Sequence, residues 1–368
     1  MASILLISPE PWSAHAVSKH HYARLLAACG HRVLFLEPPD PNLTHLELHA
    51  NEDHPGLLIV RGPRVAPGLR FLPGPLRERL ECRWLRHLEN RLGERIEVVW
   101  LFENSRFFDL RFAGDRLRIY HQVDLNQAFH PAQAARTADL CFCTTDLIAE
   151  LLRAHSPRVY VIHHGLQQPN RPVPLTAEQR QHFQRPGPHL VYAGNLVMGY
   201  LDVELLAAVA RDHRDATLHL VGGAPVDAPL RMALADYSHV VWWGHQHSAA
   251  LPSILEQADI LLVTYQEQHW KDQASPHKFM EYLASGKVIV ATFTHQYRQQ
   301  RHLLAMADLG DDYLDLLREV RAALPLWNAP DRQHERRVFA LDHTYERQLE
   351  HINAHLIRHG LSSLIASS

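Results

Sequence analysis

The sequence predicts two doubly wound α/β domains facing each other across a cleft, and three observations support this. At 368 residues the chain is too long for one ordinary domain. Short apolar runs alternate with amphipathic stretches from end to end. The runs are apolar on both faces, as parallel strands covered by helices require. The alternation breaks once, where 167–188 carries Pro169, Pro172, Pro174, Pro186 and Pro188 among polar residues, and then restarts.

In the first half, strands are expected at 4–7, 32–36, 57–60, 98–101, 117–120, 140–143 and 159–162. A helix over 16–29, stopped by Gly30, joins the first two. In the second half, strands at 190–192, 217–221, 240–242, 260–263 and 288–291 alternate with helices at 202–211, near 230–237, at 249–257 and at 278–285. The domains are therefore 1–168 and 186–342, with 343–368 supplying a final helix that packs back on the first domain. In such sheets ligands bind beyond the carboxyl ends of the strands, so the loops leaving each strand carry the function.

Composition excludes several classes. A formal charge of −3 gives no electrostatic reason to expect nucleic-acid binding. No apolar run reaches the ~18 residues of a membrane span, and the N-terminus lacks the charged start of a signal peptide, so a cytoplasmic protein is expected. The four cysteines make neither a CxxC pair nor a zinc spacing and read as reduced packing residues. Absence of GxGxxG after either first strand argues against a dinucleotide oxidoreductase. The Arg-rich stretch 64–95 has two readings. It is an interfacial helix at the inner face of a membrane, or a helix covering the first sheet, which Glu78, Glu81, Glu89 and Glu94 favour.

The most informative segment runs from Ser275, Pro276, His277 and Lys278 through Glu281 to Gly286 and the strand after it. A helix opening at Pro276 turns its free N–H groups and positive dipole end outward, which suits a diphosphate. Lys278 in the first turn opposes the dipole unless an anion is shared between them. Glu281, three residues on, lies on nearly the same face and suits ribose hydroxyls. From spacing alone the alternative is an ordinary amphipathic helix, with Phe279, Tyr282 and Leu283 buried and the Lys–Glu pair in solvent.

This segment resembles the donor-binding signature of GT-B-fold retaining glycosyltransferases. Further stretches resemble the same family in the same order. They are 191–196 with Gly194 and the 202–211 helix, 240–246 with Gly244, His245 and Gln246, and 137–146 with 161–166. The pattern is similar to the glycosyltransferase family 4-like, TuaH-like branch associated with surface polysaccharide synthesis. The resemblance implies that Glu281 holds ribose, and that Lys278 with Ser275, Pro276 and His277 at the helix start holds diphosphate. It further implies that Gly194 and Asn195 let the backbone approach phosphate, and that His245 and Gln246 border the base. Gln273 stands where relatives carry the first Glu of a Glu-x7-Glu motif that contacts the donor sugar. Past the 117–120 strand, His121, Asp124 and Asn126 are candidates to touch acceptor or donor sugar, as are Glu103 and Asn104 past 98–101.

The expected activity is transfer of a sugar from a nucleoside-diphosphate sugar to a saccharide or lipid-linked acceptor. No cofactor is implied, the donor being a substrate. No metal is implied either, since the one Asp-Asp pair, Asp311-Asp312, falls in a late helix. Rival readings are an epimerase or hydrolase of sugar nucleotides on the same fold, and a two-lobed solute-binding protein.

Overall fold

The computed structural model describes residues 1–14, 16–102, 106–125, 130–167, 171–271 and 276–365. The chain divides into two compact units, Met1–His163 with Tyr345–Ser368, and His164–Thr344. Each is built around one twisted sheet covered by helices on both faces.

The first unit has strands β1 (Ser3–Ile7), β2 (Arg32–Leu36), β3 (Glu47–Ala50), β4 (Leu57–Arg61), β5 (Val98–Leu101), β6 (Leu117–Gln122), β7 (Leu140–Cys143) and β8 (Val159–Val161). They lie in the order β3-β4-β2-β1-β5-β6-β7-β8. All pairs are parallel except β3 with β4, a hairpin at the edge. The edge strand β3 went unpredicted because Glu47–Ala50 has no fully buried residue and carries no apolar run. Alternate residues of one strand feed opposite cores, as the two-residue period of a strand requires. In β1, Leu5 and Ile7 join one core, Ile4 and Leu6 the other.

Helix Gly74–Leu92 sends Leu85 and Leu88 into the first of these cores. Helix Gly74–Leu92 thus covers the sheet, while Phe71 and Leu76 of the same stretch remain exposed. Helix Tyr345–Arg358 sends Tyr345, Leu349, Ile352 and Leu356 into the other core, beside Leu26 and Trp100. Among the described residues no helix is long and apolar enough to cross a membrane. None of the four cysteines is bridged, and burial pushes the thiols of Cys141 and Cys143, both in β7, up to about 12.

The second unit begins at His164, earlier than 186, and its leading segment folds into helix Ala177–His182 with a Thr176–Gln179 capping box. Its sheet is wholly parallel: β9 (His189–Ala193), β10 (Thr217–Val221), β11 (Val240–Gly244), β12 (Ile260–Val263), β13 (Val288–Ala291) and β14 (Ala305–Met306). The order is β11-β10-β9-β12-β13-β14. The chain runs outward from β9 in one direction and then returns to run outward from β12 in the other. The switch point of the sheet is therefore between β9 and β12, where a crevice opens at the strand ends.

Candidate functional site

Three neighbouring strands of the second sheet leave it through glycine. β9 runs into Gly194, β10 into Gly222-Gly223, and β11 ends at Gly244. Two of these glycines stand in close approach, and at Gly222 the neighbour is backbone that cannot give way. At Gly222 a Cβ would lie 2.1 Å from the carbonyl oxygen of Gly194, with φ +150°. At Gly223 it would lie 2.1 Å from Nε2 of His245, whose exposed ring occupies that space. Backbone rather than side chain therefore forms this rim.

Helix Lys278–Ser285 delivers Lys278 to the switch point. Its orientation is fixed by Tyr282, fully buried, whose hydroxyl oxygen accepts from the Ala193 N–H at 2.7 Å. The same hydroxyl lies 3.3 Å from the carbonyl oxygens of Ala193 and Leu262, on β9 and β12. One turn earlier, the Lys278 ammonium sits 3.7 Å from the centre of the Tyr192 ring and 5.1 Å from that of Tyr265. A Cβ on Gly194 would stand 2.9 Å from the same Nζ.

Lys278 is half-buried as a residue, but its Nζ is out of reach of water and has no hydrogen-bond partner among the described residues. Two ring faces stabilise the charge in part. Burial still lowers its pKa to about 7, against the pull of Glu281. Glu281 is raised to about 7 by burial, opposed by Lys278. A cation and a carboxylate one helical turn apart, beneath a backbone rim at a switch point, form a place to neutralise an anion and hold a hydroxylated ring. The alternative reading, a solvated Lys–Glu pair, is corrected here: the ammonium is sealed from solvent and no ion pair within 4 Å joins the two.

The remaining expected residues are differently placed. Gly194 and Asn195 are exposed, and the Asn195 carboxamide oxygen accepts from the Val197 N–H at 2.9 Å, shaping its own loop. Gln246 holds its own loop in place. Its Nε2 donates to the Trp243 carbonyl at 2.6 Å and its Oε1 accepts from Gln179 at 3.2 Å. His277 is exposed and lies against buried His164, ring centres 3.5 Å apart, while Pro276 is buried at the helix entry. Lys271 lies over the Trp270 ring at 5.3 Å. Gln273 and Ser275 fall outside the described residues, as do Glu103, Asn104 and Asn126.

In the first unit, His121 is corrected. It is the penultimate residue of β6, not a loop residue, and only 1% exposed. Its ring is stacked on Trp100 and Phe102, with centres 6.0 and 4.9 Å away. Burial, with the nearby Lys19 charge, lowers it to about 3 and keeps it neutral. It packs the core and does not reach an acceptor. Asp124 is exposed past the strand end, yet enough protein surrounds its carboxyl to raise it, with Lys19 pulling the other way. Lys19, buried in helix Ser18–Ala28, is ion-paired with Glu10. Asp311-Asp312 lies just before a late helix rather than inside it. Asp312 caps helix Tyr313–Ala322, accepting from the N–H groups of Leu314 and Asp315 at 2.8 and 3.2 Å.

Sequence reasoning missed Tyr192, Tyr265 and Gly223. The Gly-Gly pair after a strand was the one signal available for them, since ring packing over a lysine leaves no pattern in sequence.

Solved structures share this architecture. Anabaena HepE in complex with UDP-glucose superimposes with a TM-score of 0.67 at 12% identity, covering 97% of this chain and 100% of that one. An E. coli trehalose-6-phosphate protein bound with UDP-2-fluoro glucose gives 0.65 at 12%, covering 96% and 99%. WaaG, a glycosyltransferase involved in lipopolysaccharide biosynthesis, gives 0.60 at 14%, covering 97% and 99%. At such identities the likeness establishes the fold, which is GT-B. Residues 187–318 match the family described as glycosyl transferases group 1, a stretch that contains Gly194, Gly223, Lys278 and Glu281. The chain is a glycosyltransferase. No curated protein matches its sequence.

Proposed function

We propose that this glycosyltransferase takes its sugar from a nucleoside-diphosphate sugar held by the second unit, and passes it to a saccharide or lipid-linked acceptor in cell-surface polysaccharide synthesis. The single observation that carries the proposal is the sealed, unpartnered ammonium of Lys278 against Gly194 at the switch point. An isolated buried cation is costly, and an anion placed against it removes that cost. Diphosphate charge developing on the leaving group is met by Lys278 and by the positive end of helix Lys278–Ser285. Glu281 accepts hydrogen bonds from ribose, His245 over Gly223 borders the base, and Asp124 remains the first-unit candidate for contact with sugar. Gln273, eight positions before Glu281, meets the donor sugar through a neutral amide. Transfer with retention at the anomeric carbon, as in the TuaH-like branch, belongs to the same reading.

Since a fixed cation stands where the diphosphate charge grows, no divalent ion is needed for turnover. Two of the structural relatives hold UDP-glucose or its fluorinated analogue, so a uridine diphosphate sugar is the first donor to try. The test is release of nucleoside diphosphate from a panel of nucleotide sugars and saccharide acceptors, with and without EDTA. Acceptor-dependent release that survives chelation is expected. Release without any glycosylated product would instead favour a hydrolase, and loss with EDTA restored by a divalent ion would refute metal independence.

A further inference from the structure

Unit one contains a second site with a different character. A cavity of about 400 Å³ is lined by Arg64, Arg70, Arg77, Arg106 and His130, with Phe108 among its walls. Its residues come from the loop leaving β4, from the segment after β5, from helix Gly74–Leu92 and from the residue before helix Pro131–Thr137. All but the helical Arg77 lie past the carboxyl ends of parallel strands, on the side of the sheet where ligands of such folds bind.

The charge in this cavity is incompletely compensated. Arg77 is 6% exposed, lies 3.8 Å over the Phe108 ring and reaches Asp109 only at 3.6 Å. Asp109 is already held by Arg111 at 2.6 Å. Glu78, the residue after Arg77 in the helix, faces Arg111 at 3.9 Å, and Glu81, one turn beyond Arg77, is pushed up to about 8 by burial and is largely neutral at pH 7. Arg106, 7% exposed, donates to the carbonyl oxygens of Glu37 at 2.5 Å and Pro63 at 2.8 Å. No carboxylate lies within 4 Å of it among the described residues. The Nε groups of both Arg77 and Arg106 are buried without a hydrogen-bond partner. Arg64 and Arg70 are exposed at the rim, also without an acidic partner among the described residues. Burial lowers Arg106 to about 10, which leaves it charged at neutral pH. Four guanidinium groups lining one cavity with so little acidic compensation are an unfavourable arrangement that a multiply charged oxyanion reverses, because its oxygens accept several charge-assisted hydrogen bonds at once.

We propose that this arginine-lined cavity binds a phosphate monoester or diphosphate group carried by the acceptor. Only the word acceptor rests on the function proposed above; the anion site stands on its own geometry. A phosphorylated sugar in solution and a phosphate-bearing lipid share this chemistry. The volume suits a phosphoryl group with one sugar ring or the first part of a chain.

The experiment uses the full chain carrying Lys278→Met, so that phosphate does not bind at the donor site, with and without the added pair Arg64→Ala and Arg70→Ala. Both arginines are exposed, so the pair leaves the fold intact, which a melting curve checks. Glucose 1-phosphate is titrated calorimetrically in one arm. In the other, sedimentation measures binding to phosphatidylcholine vesicles with and without phosphatidic acid. Binding in either arm that weakens at least tenfold in the Arg64/Arg70 protein establishes the site, and the arm in which it occurs identifies the source. No binding in either arm, or binding that the arginine pair does not alter, overturns it. UDP affinity of the wild-type chain is measured in parallel, so that failure here and failure of the donor proposal are told apart.

Discussion

Lys278→Met is expected to make the unliganded protein more stable while making it a poorer nucleotide binder. The ammonium lies in a pocket of rings with no partner, and its pKa falls from the ordinary 10.5 to about 7. A lysine whose folded-state pKa is depressed destabilises the fold in full below that folded value. The cost shrinks as pH rises and vanishes above 10.5. A tenfold change in proton affinity is worth about 1.4 kcal/mol, so at neutral pH the cost is on the order of 2–4 kcal/mol once relaxation around the charge is allowed for. Methionine keeps the stem and the contact with Tyr192 and Tyr265 and removes the charge. For a domain of this size 1 kcal/mol corresponds to about 2–4 °C, so melting of the second unit should rise by roughly 5 °C or more at pH 7. The gain should shrink steadily toward pH 10. Differential scanning calorimetry without nucleotide reads both. A melting temperature that falls, or a gain independent of pH, would refute the idea that a stranded charge resides there.

Three further outcomes follow from the same site. Nucleotide affinity should peak near neutral pH. Above about 7 Lys278 loses its proton in the free protein, and below about 7 Glu281 gains one and is no longer a charged acceptor. Lys278→Met should remove the alkaline decline and keep the acid one, as read by titration across pH 5.5–9. Gly223→Ala meets only the exposed His245 ring, so melting should change little while nucleotide affinity falls several-fold. Gly222→Ala meets the Gly194 carbonyl oxygen at 2.1 Å with φ +150° and should cost about 2 kcal/mol or more, seen as early melting.

Much of the fold was legible because parallel strands covered on both faces leave unmistakable apolar runs, such as Leu140–Cys143 and Ile260–Val263. What escaped has physical reasons. β3 pairs at an exposed edge, and β14 is only Ala305–Met306, too short for any pattern. The Lys278–Glu281 pair was legible from helical spacing after Pro276. Its burial was not, since the rings of Tyr192 and Tyr265 arrive from β9 and from beyond β12. His121 was misplaced because β6 runs to Gln122, and one more strand residue turns a loop histidine into a core one. The hydrogen bonds of the Gln246 amide were not legible either. Its partner Gln179 stands 67 positions away, on a helix hidden in a proline-rich stretch.

The central claim, that Lys278 and Glu281 serve a nucleoside diphosphate, is tested most directly by calorimetric titration of UDP, GDP and ADP. Wild type, Lys278→Met and Glu281→Gln are compared at pH 7. Charge-assisted hydrogen bonds are worth roughly 1.5–3 kcal/mol each, and 1.4 kcal/mol is tenfold in affinity. At least one of the three nucleotides should bind the wild-type chain, and both variants should bind it at least ten times more weakly without loss of the folded state. Wild-type affinity in both variants would contradict the account.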